Sequence, residues 1–185
     1  MMSDRAPALA LGLYLIGLVA AFGVRSWLHR ARTGSTGFRG ISGAAGSAGW
    51  WGGILFAAAL LLGATAPTLA LTGTVVPPRQ SEVFTWAGLV ITVLGFLGVL
   101  ASQAGMGASW RVGVVPGATG ALVTGGLYRY SRNPTFVGQF ALLAGVALAV
   151  SSLPTVVAPL VFLWSAVTQV RTEETALRAA LGADY

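Results

Sequence analysis

Five apolar stretches without a single charged side chain limit this sequence more than any other feature. They run Ala8–Val24, Trp50–Leu71, Val83–Ala101, Thr135–Val150 and Leu153–Val170. The hydrocarbon core of a bilayer takes a helix of about 20 residues, with about 17 as a lower limit. The first three stretches meet that length. The fourth is short, and only Ser151 and Ser152 part it from the fifth, so these two are expected to form a tight helical hairpin. Charged residues make up 9% of the chain, where a soluble domain carries about a quarter. So few charges cannot coat a surface that faces water. The 55% hydrophobic content also excludes a disordered chain, which needs low hydrophobicity. The sequence predicts an all-α integral membrane protein of about five transmembrane helices, extended by a C-terminal helix outside the bilayer.

The ends of the stretches carry local signals. Ser81 before Glu82 predicts an N-cap with an acid in the first turn. Asn133-Pro134 predicts an N-cap followed by proline at the first helical position. Pro159, inside the last stretch, predicts a kink that opens a cavity toward the loop before the hairpin. Past the membrane, the helical pattern continues through Arg171, Glu174 and Arg178 and is expected to stop at Gly182.

Charge placement sets an orientation. Arg25, Arg30, Arg32, Arg39, Arg111, Arg129, Arg132, Arg171 and Arg178 fall on connections at one side, leaving only Arg5 and Arg79 for the other. The positive-inside rule then predicts an outside N-terminus and a cytoplasmic C-terminus, in a bacterial plasma membrane. The first stretch is too long for a signal-peptide core and follows both Asp4 and Arg5, so it is expected as a permanent span. Although the net charge is +6, the arginines are scattered between apolar runs. That spread does not suit a groove that tracks nucleic acid.

Between the first two stretches, Gly34, Gly37, Gly40, Gly43, Gly46 and Gly49 recur at every third position. The run is short and lacks proline, so it is not collagen. A flexible glycine–serine linker is the expectation. The sharper alternative is that Gly37-Phe38-Arg39-Gly40 offers backbone N–H groups and a guanidinium to an anion.

Two segments concentrate reactive side chains. The long third connection, expected from roughly Ser102 to Asn133, holds Gln103-Ala104-Gly105-Met106-Gly107-Ala108-Ser109-Trp110-Arg111 and then Val123-Thr124-Gly125-Gly126-Leu127-Tyr128-Arg129-Tyr130-Ser131-Arg132-Asn133-Pro134. Its aromatics and arginines together suit either a functional loop or an interfacial anchor at headgroup depth. The second segment is Gln169 to Arg178, where Glu173 and Glu174 sit at the membrane exit of the last span. Glu174 can pair with Arg171 and Arg178 along the helix, whereas Glu173 has no basic residue at either helical spacing. Standard catalytic apparatus is missing. With no cysteine and His29 as the sole histidine, neither a zinc site nor a catalytic triad can be built. No phosphate-binding P-loop appears. The chemistry left open is one carried by a bound cofactor.

Gly126 to Pro134, the short hairpin, Glu173-Glu174 and Leu181-Gly182-Ala183-Asp184-Tyr185 resemble the C-terminal signature of the isoprenylcysteine carboxyl methyltransferase family. Phospholipid N-methyltransferases share its broader group. The resemblance covers roughly Gln103 to Tyr185. It implies a single membrane domain over 1–185, with the first three membrane helices in 1–101 and a cofactor-binding loop, hairpin and C-terminal helix in 102–185. It further implies a membrane methyltransferase that uses S-adenosylmethionine on a lipidic or other apolar acceptor entering from the bilayer at the cytoplasmic face, with no metal. Mapped onto this chain, Gly126, Tyr128, Arg132, Asn133, Pro134, Glu173 and Glu174 would hold the cofactor, and Trp110 and Arg111 would meet the substrate. The side-chain chemistry suits that mapping. A guanidinium fork at Arg132 fits a carboxylate, a glutamate fits ribose hydroxyls or an ammonium, and Tyr128 can stack on adenine.

Two departures stand out. Asn133 occupies a position that is histidine in many relatives, and asparagine cannot carry a proton. The sequence also stops at Tyr185, where relatives typically continue with aromatic and basic residues. Two other readings stay open: a sterol-type membrane reductase using NADPH, which calls for more basic residues than this C-terminus offers, and a non-enzymatic membrane protein whose loop is an anchor.

Overall fold

The computed structural model describes residues 2–38, 40–78, 81–107, 110 and 123–181. Arg39, Arg79, Arg111 and the expected helix stop at Gly182 lie outside the described residues. The first stretch becomes a longer helical path than expected: α1 (Met2–Leu18), a π-helical segment (Val19–Val24) and α2 (Arg25–Thr33) follow without a break. Gly34 ends this path with φ 77°, its N–H donating to Arg30 O at 2.9 Å. The remaining helices are α3 (Ala48–Leu71), α4 (Glu82–Met106), α5 (Pro134–Ala149) and α6 (Leu153–Leu181). Among the described residues, four helical paths are long and apolar enough to cross a membrane, and α5 is a shorter apolar helix of 16 residues.

Helix ends agree with the sequence in position and differ in chemistry. α4 and α5 start after Ser81 and Asn133 as predicted, yet neither side chain makes a capping hydrogen bond. α6 runs unbroken through Pro159 and continues through Arg171, Glu174 and Arg178. α4 continues past Ala101 to Met106 because its next polar residues have partners inside the bundle. Ser102 Oγ bonds Val99 O at 2.9 Å and Thr135 Oγ1 at 2.7 Å, and Gln103 Nε2 donates to Ala21 O at 3.0 Å, within the π segment.

Two antiparallel pairs make the bundle. α4 and α5 approach at backbone contact: a Cβ on Gly88 or Gly95 would collide with the main chain of Ala149 or Leu142, and one on Gly145 with that of Thr92. Small residues that admit such approach are the usual basis of helix association in lipid. α3 packs on α6, where Ser165 Oγ donates to Gly52 O at 2.7 Å. α1 lies against α3, α4 and α5, with Tyr14 OH donating to Leu60 O at 2.7 Å. Tyr14, Leu142, Leu143, Val146 and Phe162 form the central core. Thr155 closes the turn after the short α5, donating to Val150 O at 2.6 Å and accepting from Ser152 N at 3.1 Å. In lipid each such backbone group must be satisfied internally.

The described part of the glycine-periodic connection bends repeatedly at its glycines. Gly34, Gly37, Gly40, Gly43 and Gly46 all have positive φ, from 70° to 89°, which only glycine adopts without strain. The N–H of Gly37 donates to Ser35 Oγ at 3.2 Å, so that group is spent within the loop and does not face an anion.

Candidate functional site

One end of the bundle gathers the C-terminus of α4, the N-terminus of α5, the outer part of α6 and the segment from Arg25 to Ser47. A 3₁₀ turn at Gly126–Arg129 leads into α5 here. Gly126 has φ 60°, with open space where a Cβ would stand, so backbone conformation is what requires glycine there. The turn places Tyr128 with its ring over Gly105 of α4, where a Cβ would lie 3.7 Å away. Its hydroxyl bonds Thr135, which in turn shares a 2.7 Å hydrogen bond with Ser102. Burial raises the Tyr128 pKa, the Thr135 bond lowers it, and the charge of Glu173 raises it further. The phenol therefore stays neutral at ordinary pH, within electrostatic reach of Glu173.

Arg132 and Glu174 meet across the sequence, Nη1 to Oε1 at 3.4 Å. Arg178 Nη2 reaches the other oxygen, Oε2, at 3.5 Å. Glu174 is thus the hub between the loop before α5 and the outer part of α6. The expected pairing with Arg178 is present. Asn133 flanks α5 half-buried, its N–H donating to Ser131 Oγ at 3.2 Å, and Pro134 is buried at the first helical position. Of the residues expected to hold a cofactor, Tyr128, Arg132, Glu173 and Glu174 lie near one another through these interactions, Gly126 opens the 3₁₀ turn, and Asn133 and Pro134 start α5. This set offers a cation, two carboxylates, an aromatic face and a phenol.

Trp110 is placed differently from an open substrate contact. It is 3% exposed, with Arg25 Cζ 5.2 Å from its ring centre and His29 edge-on at 5.5 Å. Gly37 closes the third side, where a Cβ would fall 2.7 Å from the indole. Arg25 also donates to Gln103 O at 3.1 Å and Gly107 O at 2.7 Å, a cation on the carbonyl end of α4 where the helix dipole favours it. Trp110 therefore anchors the start of the loop to α2. Sequence reading gave Arg25, Ser102, Gln103 and Thr135 no role at the site. Each looks ordinary alone, and only the closeness of α1, α4 and α5 gives it a partner. Among the described residues, no three His, Asp or Glu side chains gather as a metal site.

Residues 83–184 match the family described as phospholipid methyltransferase. The chain belongs to the phospholipid methyltransferase family. Comparisons with curated proteins and with solved structures find no match. The family lies in the same broader group as the isoprenylcysteine carboxyl methyltransferases. It makes this protein a membrane methyltransferase, and S-adenosylmethionine is the general methyl donor of such families. The matched segment begins in α4 and covers α5, α6 and every residue of the Arg132–Glu174 cluster.

Proposed function

We propose that the cluster around Arg132 and Glu174 binds S-adenosylmethionine and that the chain passes its methyl group to a lipidic or other apolar acceptor at the cytoplasmic face. The observation that carries this reading is the meeting of two residues 42 apart in sequence at 3.4 Å, inside the family's segment. When bound, the cofactor supplies a methyl group already activated by a sulfonium, so the protein's task is orientation. Arg132 presents a planar fork to a carboxylate. Glu173 and Glu174 accept hydrogen bonds from hydroxyls or an ammonium, and Tyr128 offers its ring to the purine. Gly126, Asn133 and Pro134 form the adjoining wall. Asparagine at 133 keeps a hydrogen bond there and removes any proton shuttle, so this site serves an acceptor that needs no base at that position. The arginine-rich end of the bundle faces the cytoplasm under the positive-inside rule.

Binding of S-adenosylhomocysteine to the detergent-solubilised protein tests the reading. At 100 times its dissociation constant a ligand stabilises the fold by about 2.7 kcal/mol, a measurable rise in Tm. Arg132→Ala and Glu173→Gln should each reduce that rise while leaving the ligand-free Tm nearly unchanged. Losing one partner of a charge-assisted hydrogen bond costs about 1.5–3 kcal/mol, roughly ten- to a hundredfold in affinity. A rise with NADPH and none with S-adenosylhomocysteine would replace this reading with a reductase.

A further inference from the structure

Three hydroxyls run in series from the candidate site into the contact between α4 and α5. Tyr128 OH bonds Thr135, Thr135 Oγ1 meets Ser102 Oγ at 2.7 Å, and Ser102 Oγ lies 2.9 Å from Val99 O. Each hydroxyl has one proton to donate and can also accept. The series ends on a carbonyl, which can only accept. Ser102 is fully buried, so no solvent serves it, and two oxygens at that distance repel unless a proton lies between them. The Ser102 proton therefore goes to Val99 O. The contact between Ser102 and Thr135 must then hold the Thr135 proton, and the bond between Thr135 and Tyr128 must hold the phenol's own. Counting protons fixes the direction of all three bonds.

The consequence falls on the site. Tyr128 gives its proton inward, so its oxygen offers only lone pairs to anything outside the series. Its ring is set against α4, where a Cβ on Gly105 would lie 3.7 Å away. Glu173, whose charge acts on this phenol, is a second acceptor nearby. Two acceptors together repel a carboxylate and favour an N–H or O–H group, while the guanidinium of Arg132 provides the donors of the same cluster. We infer that Thr135 and Ser102 are positioning residues for the binding proposed above: they draw the Tyr128 proton inward and so make its oxygen an acceptor for an N–H or O–H group of the cofactor, leaving the cofactor's carboxylate to Arg132. This rests on the methyltransferase reading and gives the phenol a polarity as well as a ring face. Ionisation of the phenol turns the Thr135 proton back toward it, because a phenolate can only accept.

Calorimetric titration of the detergent-solubilised full chain with S-adenosylhomocysteine tests the assignment. Tyr128→Phe should weaken binding about five- to tenfold, the worth of one hydrogen bond. Thr135→Val, which keeps the shape and loses the hydroxyl, should weaken it by a similar factor, and Thr135→Ser should stay within about twofold of the unmodified protein. In a protein already carrying Tyr128→Phe, Thr135→Val should have no further effect, since it acts through the phenol. Ser102→Ala removes the group that receives the Thr135 proton and gives an independent route to the same loss. Absorbance titration without ligand adds a second readout. Thr135→Val should move the Tyr128 ionisation to higher pH, because the phenolate loses a donor, and Thr135→Ser should leave it in place. Binding by Thr135→Val as tight as in the unmodified protein, or an equal loss with and without the Tyr128 hydroxyl, would overturn the inference while the methyltransferase reading stands. No binding by the unmodified protein would defeat that reading, and the absorbance titration then decides the hydroxyl series alone.

Discussion

Glu174 holds two arginines at 3.4 and 3.5 Å, and both guanidinium groups are largely exposed. Ion pairs of that kind contribute about 0–1 kcal/mol to stability, so this hub does little for the fold. The same weakness suits a binding role, because a ligand carboxylate can replace Glu174 on Arg132 at small cost. Tyr128 gives a sharper test at this scale. Its pKa is raised by burial and by Glu173 against the opposing bond to Thr135, so the folded state holds the phenolic proton more tightly than the unfolded chain. Stability is then constant with pH up to the ordinary tyrosine value of about 10 and falls as pH rises past it. Absorbance titration of the protein against Tyr128→Phe should show one phenol ionising above that value. A difference titration at or below it would contradict the packing described for this side chain.

The helices were legible because hydropathy reports them directly, and the proline after Asn133 marked the start of α5. Three features of these elements were not legible. The π segment Val19–Val24 is written in the same apolar residues as the helix before it, so no residue announces the change. Ser102 and Gln103 read as the start of a loop because polar residues after an apolar run signal an exit. Their partners, Thr135 and Ala21, come from other helices. The glycine period was visible, but its meaning, positive φ at Gly34, Gly37, Gly40, Gly43 and Gly46 with Gly37 set against Trp110, needed the structure. The closest helix contact supplies the prediction here. Gly95→Leu would drive a side chain into the backbone of α5, and overpacking of this kind costs about 1–3 kcal/mol or more. Gly12→Leu, where a Cβ meets nothing within 4 Å, should leave the unfolding free energy within about 0.5 kcal/mol of the parent. Equal effects from the two substitutions would show that α4 and α5 are not in backbone contact.

At the scale of the whole molecule, the candidate site depends on segments far apart in the chain arriving at one end of the bundle. The antiparallel pairs α4/α5 and α3/α6 bring the loop before α5 beside the outer part of α6, which is how Arg132 reaches Glu174. Sequence resemblance had grouped these residues by motif, and the fold brings Arg132 and Glu174 of that group to 3.4 Å. It also changes the place of Trp110, from a surface that meets substrate to an anchor held by Arg25, His29 and Gly37. The central claim is methyl transfer to an apolar acceptor from a cofactor bound at the arginine-rich, cytoplasmic end. The most direct measurement supplies methyl-labelled S-adenosylmethionine to sealed membrane vesicles of both orientations containing the protein, then extracts the lipids. Label should enter the organic phase in inverted vesicles, whose cytoplasmic face is outward, and fall about ten- to a hundredfold with Arg132→Ala. Organic-phase label no higher than in vesicles lacking the protein, or equal label with the Arg132 variant, would contradict the account.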